Sequence, residues 1–169
     1  DVNEWSVLTG LTYLYATGSN LTGDVSSWSG LTNLTSLDLP TSVTGDVTGF
    51  SALTNLTRLR AGNTYITGDI SGWSALTELT DLYVRMVNIS SNISGWSALT
   101  NLTTLNISYT DNLTGDVSGF SEMTGMTSIN IGTSNLSGDI SSWSGLTNLT
   151  YAEIGFSDVS GYISGWGAI

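Results

Sequence analysis

The chain has no cysteine and no histidine among its 169 residues. Without cysteine it forms no disulfide and no thiolate metal site. Without histidine it lacks the side chain that most often serves as a general base and as a metal ligand. Catalytic arrangements of the Ser-His-Asp or Cys-His type are therefore excluded, and we expect neither an enzymatic activity nor a cofactor.

Basic residues are scarce as well. Three arginines and no lysine stand against 14 acidic residues, which gives a net charge of −11. This balance argues against binding to nucleic acid or to an anionic membrane surface. No apolar run approaches the ~20 residues that span a bilayer as a helix, so no membrane insertion is predicted. An extracellular or cell-surface location fits this composition best.

What the chain does contain is a repeat. Counted from the residue that usually follows a glycine, the units begin at Asp1, Asp24, Asp46, Asp69, Asn92, Asp116, Asp139 and Tyr162. Self-similarity at this period is typical of solenoids, in which each repeat contacts only its neighbours. We therefore expect residues 1–169 to form a single domain of seven repeats of about 23 residues plus a partial eighth.

Apolar residues keep fixed places within each unit. In the fourth unit these are Trp73, Leu76, Leu79, Leu82 and Val84. The steps of three predict tight, 3₁₀-like turns, and the final step of two places both side chains on one face of a strand. Stacked units would bury these columns as a continuous core, in which each tryptophan is expected to donate its indole N–H to an acceptor.

The segment from Leu102 to Val117 reads L-T-T-L-N-I-S-Y-T-D-N-L-T-G-D-V. With one extra residue it follows the pattern L-x-x-L-x-L-x-x-N-x-L-x-G-x-I, and over essentially the whole chain the sequence resembles the plant-type subclass of the leucine-rich repeat family. The resemblance implies an α/β-type, right-handed repeat solenoid with a parallel β-sheet on the concave face and a mostly 3₁₀ or irregular convex side. The chain departs from the family in replacing its buried Asn, mostly by Ser or Thr, and in lacking cysteine-rich caps.

All three arginines fall on strand positions that point away from the core. The resemblance implies that this outward face is concave and is where partners bind. The candidate ligand-binding residues are Tyr13, Tyr15, Arg58, Arg60, Asp81, Tyr83 and Arg85. Such a cluster would hold a carboxylate, a sulfated sugar or a protein loop. The alternative is charge pairing within the sheet, with Arg60 beside Asp38 and Arg58 beside Asp81.

Like charges recur in the Asp column that begins the units. One interpretation is calcium binding between neighbouring carboxylates, with Asp24, Asp46 and Asp69 as candidates. The other is that each side chain accepts backbone N–H groups at a turn. Asn92 and Tyr162 interrupt the column, which favours the second interpretation.

Two threonine columns, represented by Thr54 and Thr57, recur in every full repeat. Regular hydroxyl arrays of this kind also occur in ice-binding proteins, so ice binding is a minor alternative function. The competing interpretation is that these hydroxyls satisfy backbone groups in the turns.

Asn-x-Ser/Thr sequons are frequent and predict dense N-glycosylation of a secreted chain. The ten candidate sites are Asn20, Asn33, Asn55, Asn88, Asn92, Asn101, Asn106, Asn112, Asn135 and Asn148.

The two ends of the repeat array set the leading functional hypotheses. Apolar residues at the ends would lack a neighbouring unit, namely Trp5, Leu8, Leu11, Leu14, Trp166 and Ile169. Open ends favour a non-enzymatic, extracellular structural protein whose copies stack head-to-tail into a glycosylated fibre. The alternative is a recognition module, a fragment of a receptor or adhesin, that binds a glycan or protein on its concave face.

Overall fold

The computed structural model describes residues 1–162, and within them each repeat forms one rung of a solenoid. A rung passes through a short 3₁₀ helix, a strand of a first sheet and a strand of a second sheet. In the described residues the 3₁₀ helices are Asn3–Val7, Ser26–Gly30, Thr48–Ala52, Ser71–Ala75, Ser94–Ala98, Ser118–Glu122 and Ile140–Gly145. No helix within residues 1–162 is long and apolar enough to cross a membrane.

Odd-numbered strands form the first sheet and even-numbered strands form the second, each with seven parallel strands in residues 1–162. The first sheet contains β1 (Tyr13–Tyr15), β3 (Ser36–Asp38), β5 (Arg58–Arg60), β7 (Asp81–Tyr83), β9 (Thr104–Asn106), β11 (Ser128–Asn130) and β13 (Tyr151–Glu153). The second contains β2 (Gly23–Asp24), β4 (Val43–Asp46), β6 (Tyr65–Asp69), β8 (Asn88–Asn92), β10 (Thr110–Asp116), β12 (Ser134–Asp139) and β14 (Asp158–Ser160).

The 3₁₀ segment follows directly from the apolar steps of three. The Trp28 N–H donates to the Val25 carbonyl at 3.0 Å, and the Leu31 N–H donates to the Trp28 carbonyl at 2.9 Å. The Leu34 N–H continues the series to the Leu31 carbonyl at 3.0 Å. Because each bond closes a three-residue step, every residue of the series projects to the same side. All four side chains are fully buried. The pattern predicts this for Trp28, Leu31 and Leu34, and the structure adds Val25.

The first sheet pairs equivalent residues of successive rungs. Leu59 lies opposite Leu37 on one side and opposite Leu82 on the other. All three side chains are fully buried. The outward neighbours on the same strands are then also stacked rung on rung. The spacing of two in the sequence predicts this arrangement, and the structure confirms it.

Besides the strand that the pattern predicts, each rung contains a second strand, and these strands form the second sheet. Strands β6, β8, β10 and β12 each carry a buried residue between exposed ones, as Ile66 lies between Tyr65 and Thr67. The pairing of this sheet is staggered, because Thr44 lies opposite Tyr65 and not opposite the equivalent Thr67. The same two-residue offset recurs where Ser137 lies opposite Asp158. Equivalent side chains on this sheet are therefore displaced diagonally from rung to rung.

The aromatic column lies at the centre of the core, with Trp28, Trp73, Trp96 and Trp143 buried. The prediction that every indole N–H finds an acceptor is wrong for two of them. Trp73 and Trp143 donate to carbonyls of the rung below at 3.4 and 2.9 Å. Within the described residues, Trp28 and Trp96 have no such partner.

The residue in the rung below explains this difference. Phenylalanine precedes both bonded indoles in the column, and the Phe50 and Trp73 ring centroids are 6.5 Å apart. Tryptophan precedes both unbonded ones, with Trp5 and Trp28 stacked at 6.1 Å. We infer that the smaller phenyl ring leaves the carbonyl of its own rung within reach, whereas a second indole covers it.

Candidate functional site: the outward face of the first sheet

Four charged side chains form a central charge cluster on the first sheet: Asp38, Arg58, Arg60 and Asp81. Arg58 makes a two-point contact with Asp38, in which Nε donates to Oδ1 at 3.0 Å and Nη2 to Oδ2 at 2.8 Å. The Asp38 side chain is 8% exposed. Hydrogen bonding to this carboxylate raises the pKa of Arg58, against the opposing effect of desolvation. The guanidinium is therefore charged and fixed in orientation.

Asp81 is the second carboxylate of the cluster. Its Oδ2 accepts a hydrogen bond from Arg60 Nε at 3.0 Å and a further one from Arg60 Nη2. Arg58 Nη1 lies 3.7 Å from the same oxygen. The predicted pairing inside the sheet thus exists, but its close contacts are diagonal: Arg58 to Asp38 and Arg60 to Asp81. The backbone register places the opposite combinations side by side, and long arginine side chains reach past those neighbours.

Tyrosine rings flank the central charge cluster. The Arg58 guanidinium carbon lies 6.0 Å from the ring centroid of Tyr15, and that of Arg60 lies 5.9 Å from the centroid of Tyr83. Tyr15 also stacks on Tyr13 at 6.4 Å, and both rings are more than half exposed. These distances are within the range of cation–π attraction. Six of the seven predicted residues therefore form one connected surface of charges and aromatic rings.

Arg85 is the exception. It lies two residues beyond the end of β7, and its guanidinium carbon is 5.4 Å from the ring of Tyr109. Within residues 1–162, no carboxylate lies within ion-pair distance of it. Tyr109 was missed from the sequence, because it lies in the turn beyond the strand residues considered as candidates. Tyr109 occupies the same place in its unit as Met86 does in the preceding one.

The Asp column makes turns. The side chains of Asp24, Asp46 and Asp69 each accept the backbone N–H two residues further on, at 2.7–2.8 Å. Hydrogen bonds from the side chain and then the backbone of Ser26 and Thr48 lower the pKa of Asp24 and Asp46, and those from the backbone and then the side chain of Ser71 lower the pKa of Asp69. Gly68, which has a positive φ, packs against the Asp46 side chain of the preceding rung. A Cβ at this position would lie 2.3 Å from Asp46 Oδ1, so a larger residue does not fit. The alternative prediction, calcium, finds no support: in residues 1–162 no three acidic side chains converge on a metal site.

In one of the two threonine columns the hydroxyls are hydrogen-bonded to backbone carbonyls. The hydroxyls of Thr57, Thr80 and Thr103 each donate at 3.0 Å to the carbonyl of the equivalent threonine in the preceding rung. Such hydroxyls complete the hydrogen bonding of the turns. This was the competing interpretation of the column, and ice binding stays an untested prediction.

The sequons differ in what their side chains do. The Nδ2 of Asn33, Asn55, Asn101 and Asn148 donates to a carbonyl of the preceding rung at 2.8–3.0 Å. Asn106 is half-buried on β9, and its Oδ1 accepts two hydrogen bonds from Ser108. The other side chains are exposed: Asn20, Asn33, Asn55, Asn88, Asn92, Asn101, Asn112, Asn135 and Asn148. Asn106 is therefore the least accessible candidate for a glycan.

The first rung is the open end of the described core. Leu8 is 44% exposed and Val7 is 74% exposed. Trp5, Leu11 and Leu14 are partly buried against the second rung. The predicted end residues Trp166 and Ile169 lie outside the described residues.

Comparison with solved structures places this geometry among leucine-rich-repeat proteins. A TDR receptor matches with a TM-score of 0.77 and 25% identity, covering 91% of this chain and 28% of that one. The ectodomain of the Arabidopsis thaliana receptor kinase GASSHO1/SCHENGEN3, in complex with CASPARIAN STRIP INTEGRITY FACTOR 2, matches with a TM-score of 0.79 and 22% identity, covering 92% and 19%. A plant ice-binding protein matches with a TM-score of 0.65 and 22% identity, covering 88% and 57%.

No protein-family model matches the sequence, and the comparison with curated proteins gives no match. The chain spans less than a third of the length of the two receptors it matches. Its fold is that of a leucine-rich-repeat solenoid, as the repeat pattern predicts.

Proposed function

We propose that the chain is a non-enzymatic, extracellular recognition module that binds an extended peptide or protein segment across the outward face of the first sheet. The observation that carries the proposal is the fixed surface of charges and rings around Arg58 and Arg60. Each guanidinium is held by a carboxylate and lies over a tyrosine ring. Side chains fixed before binding lose less conformational entropy when a partner arrives.

The composition of this face supports the same proposal. Tyr13, Tyr15 and Tyr151 are 60%, 63% and 49% exposed. Exposed tyrosines supply large contact area with few rotatable bonds and are typical of binding surfaces. A groove lined by Asp38, Arg58 and Tyr83, among others, adds a concave feature of about 340 Å³. The pairing of both cations with carboxylates favours a polar or aromatic ligand there over a strongly acidic one.

The comparisons favour a peptide or protein over a glycan. The GASSHO1/SCHENGEN3 ectodomain is described in complex with CASPARIAN STRIP INTEGRITY FACTOR 2, and the Arabidopsis receptor kinase HAESA with the peptide hormone IDA. These partners belong to those proteins. For this chain they supply the class of ligand to test first.

Selection from a displayed library of random linear peptides tests the proposal. Peptides selected on the wild-type chain should bind a double variant, Tyr15→Ser with Tyr83→Ser, about tenfold or more weakly. Tyr162→Ser is the matched control, since this exposed tyrosine lies at the far end of the second sheet, away from the proposed face. Equal binding to all three chains, or no selectable peptide, would overturn the proposal.

We also propose end-to-end association as a second candidate, favoured by the open first rung. β1 pairs with β3 alone in the described residues, so its other edge presents unpaired backbone groups next to Leu8. A second copy would offer a strand of the same polarity, and a head-to-tail contact of this kind does not close. Exposed sequons along the sides would keep glycosylated fibres apart.

Sedimentation of the purified chain at increasing concentration tests this second candidate. Association should increase with concentration and be abolished by Leu8→Asp, while Tyr65→Ser, at an exposed position on the inner strand β6, leaves it unchanged. A species that stays monomeric up to high concentration would rule out the fibre and leave the recognition module unaffected.

A further inference from the structure

A column of left-handed residues follows the first sheet along one edge. In the turn that leads from the first sheet to the second, one residue per rung has a φ between 54° and 76°. This rim column consists of Gly18, Asn63, Met86, Tyr109, Thr133 and Phe156. The second rung, at Thr41, does not share it.

Backbone hydrogen bonds impose this conformation on the rim column. The N–H groups of Met86 and Tyr109 each donate at 3.1 Å to a carbonyl of the next rung. Glycine and asparagine tolerate the left-handed region, whereas large side chains are disfavoured there. Gly18 and Asn63 follow this rule. Methionine, tyrosine and phenylalanine occupy equivalent positions against it.

These bulky side chains contribute nothing evident to the core. Met86 is 49% exposed, Tyr109 is 52% exposed and Phe156 is 92% exposed. Strained backbone positions whose large apolar side chains stay at least about half exposed are more typical of binding sites than of structural positions. Tyr65, which is 72% exposed, extends the same apolar surface on the side of the second sheet.

Arg85 is the positively charged residue that lies next to the rim column, directly before Met86 in the sequence. It is held by the Tyr109 ring, 5.4 Å from its guanidinium carbon, and its Nη2 lies 3.3 Å from Met86 Sδ. Its Nε is buried without a hydrogen-bond partner in the described part of the chain. Arg58 and Arg60 both have carboxylate partners, and Arg85 has none among residues 1–162. A carboxylate from outside would complete its interactions.

A groove connects Arg85 with the aromatic residues of later rungs. Arg85, Tyr109, Asn130, Tyr151 and Phe156 line its volume of about 380 Å³. Glu153 lies in the same groove, and its Oε1 accepts the Gly155 N–H at 3.2 Å. Arg85 thus contacts Met86 and Tyr109, and aromatic side chains of later rungs line the groove beyond them.

We propose that this rim binds an internal acidic residue of an extended peptide, with apolar residues on both sides of it. The proposal rests on the recognition function and names the sequence it selects. The acidic side chain pairs with Arg85, and apolar side chains lie against Met86 and Tyr65 on one side and against Tyr109 and Phe156 on the other. Two rungs separate Tyr109 from Phe156, a distance of ~10 Å that about three extended residues span.

Two displayed libraries test this assignment. Both carry seven residues with six random positions and a blocked C-terminus, and the central residue is Asp in one and Asn in the other. The Asp library should be enriched on the wild-type chain, with apolar residues near the centre. Arg85→Gln should weaken the selected peptides by about tenfold or more. Similar enrichment of both libraries would overturn the proposal.

Tyr109→Asn separates binding from structure, because asparagine occupies the same rim position at Asn63. This variant relieves the left-handed tyrosine and should leave the melting temperature unchanged or raise it, while peptide affinity falls. A lower melting temperature with unchanged affinity would assign Tyr109 a structural role and contradict the rim site.

Variants of the central charge cluster distinguish the rim proposal from the general proposal that the first sheet binds a peptide. If Arg58→Ser with Arg60→Ser abolishes binding and Arg85→Gln has no effect, recognition stands and the rim assignment is wrong. If neither library yields a binder on the wild-type chain, both proposals fail.

Discussion

The two sheets of the solenoid are built from the same rungs, yet their outward faces are organised differently. On the first sheet equivalent residues lie side by side, and their identity changes from rung to rung: Tyr15, Asp38, Arg60, Tyr83 and Asn106 are successive occupants of one position. On the second sheet the identity barely changes. Threonine or serine recurs at one outward position, as at Thr44, Thr67, Ser90, Thr114 and Ser137, and the strands are staggered.

The two faces therefore have different roles: one continues the hydrogen bonding between rungs, and the other forms a surface specific to this chain. Uniform positions continue the hydrogen bonding of the solenoid from rung to rung, as the Thr114 hydroxyl does toward the Ser91 carbonyl at 3.3 Å. Varied positions give no such regular ladder and instead produce a surface with a particular arrangement of charge and rings. A face whose residues differ at each rung is the one able to distinguish between partners.

The largest effect should come from the core that both sheets share. Leu82→Ala should lower the free energy of unfolding by about 2–5 kcal/mol, because a fully buried side chain with rungs on both sides leaves a cavity. Leu14→Ala, at the equivalent position of the open first rung, should cost less. Urea denaturation monitored by tryptophan fluorescence measures both. A loss below ~1 kcal/mol at Leu82 would contradict the shared core.

The second largest loss of stability is expected in the central charge cluster, which distinguishes the outward face of the first sheet from that of the second. Asp38→Ala removes the main partner of Arg58 and should cost about 1 kcal/mol, because Asp38 is buried but water screens the 36% exposed Arg58 side chain. Thr67→Ala, on the outward face of the second sheet, should change stability by no more than about 0.5 kcal/mol. Similar costs for the two variants, again from urea denaturation, would mean that the faces do not differ in this way.

Much of the first face was predictable from the sequence, and the rest was not for identifiable reasons. The alternation about Leu59 and Leu82 reveals the outward positions of Arg58, Arg60 and Asp81. The ion-pair partners of the two arginines could not be predicted from the sequence, because long side chains reach across rungs diagonally.

The second sheet and the rim were harder to predict. Strands such as β6 contain one buried residue, Ile66, followed by Gly68, a combination that disfavours a strand when considered locally. They exist because neighbouring rungs pair with them. The left-handed rim is signalled by Gly18 and Asn63 only, and nothing local marks Tyr109 as part of it.

Glycans offer a further way to distinguish the two faces. We expect the natural protein to exceed 17.8 kDa by whole sugar units, with exposed sites such as Asn20 and Asn88 occupied and the half-buried Asn106 on the first sheet unmodified. Peptide mapping by mass spectrometry after enzymatic removal of N-glycans measures occupancy. Full occupancy at Asn106 would place a glycan on the proposed binding face and weaken the recognition function.

The smallest expected effect concerns the Asp column, whose member Asp69 is the last residue of β6. Hydrogen bonds from the Ser71 backbone and side chain lower the pKa of Asp69 from its ordinary value of 3.8. A lowered folded-state pKa contributes stability that is present above 3.8 and is lost as the pH falls through the lowered value. The melting temperature should therefore drop as the pH falls from about 5 to below 3.8.

Asp69→Asn should reduce that drop, because an amide oxygen accepts the same backbone hydrogen bond without titrating. Asn92 already does so in this chain, where its Oδ1 accepts the Ser94 N–H at 3.0 Å. Calorimetry of the variant and the wild type at both pH values measures the effect. An unchanged pH dependence would show that this carboxylate does not contribute.

Alanine scanning of both outward faces against one selected peptide tests the central claim most directly. The scan would cover Tyr15, Arg60, Tyr83, Arg85 and Tyr109 on the first sheet and its rim, with Thr44, Thr67, Ser90, Thr114 and Ser137 as the matched set on the second. We predict that losses of affinity are confined to the first set. Losses at these serine and threonine positions of the second sheet, or equal small losses in both sets, would contradict the assignment of recognition to the varied face.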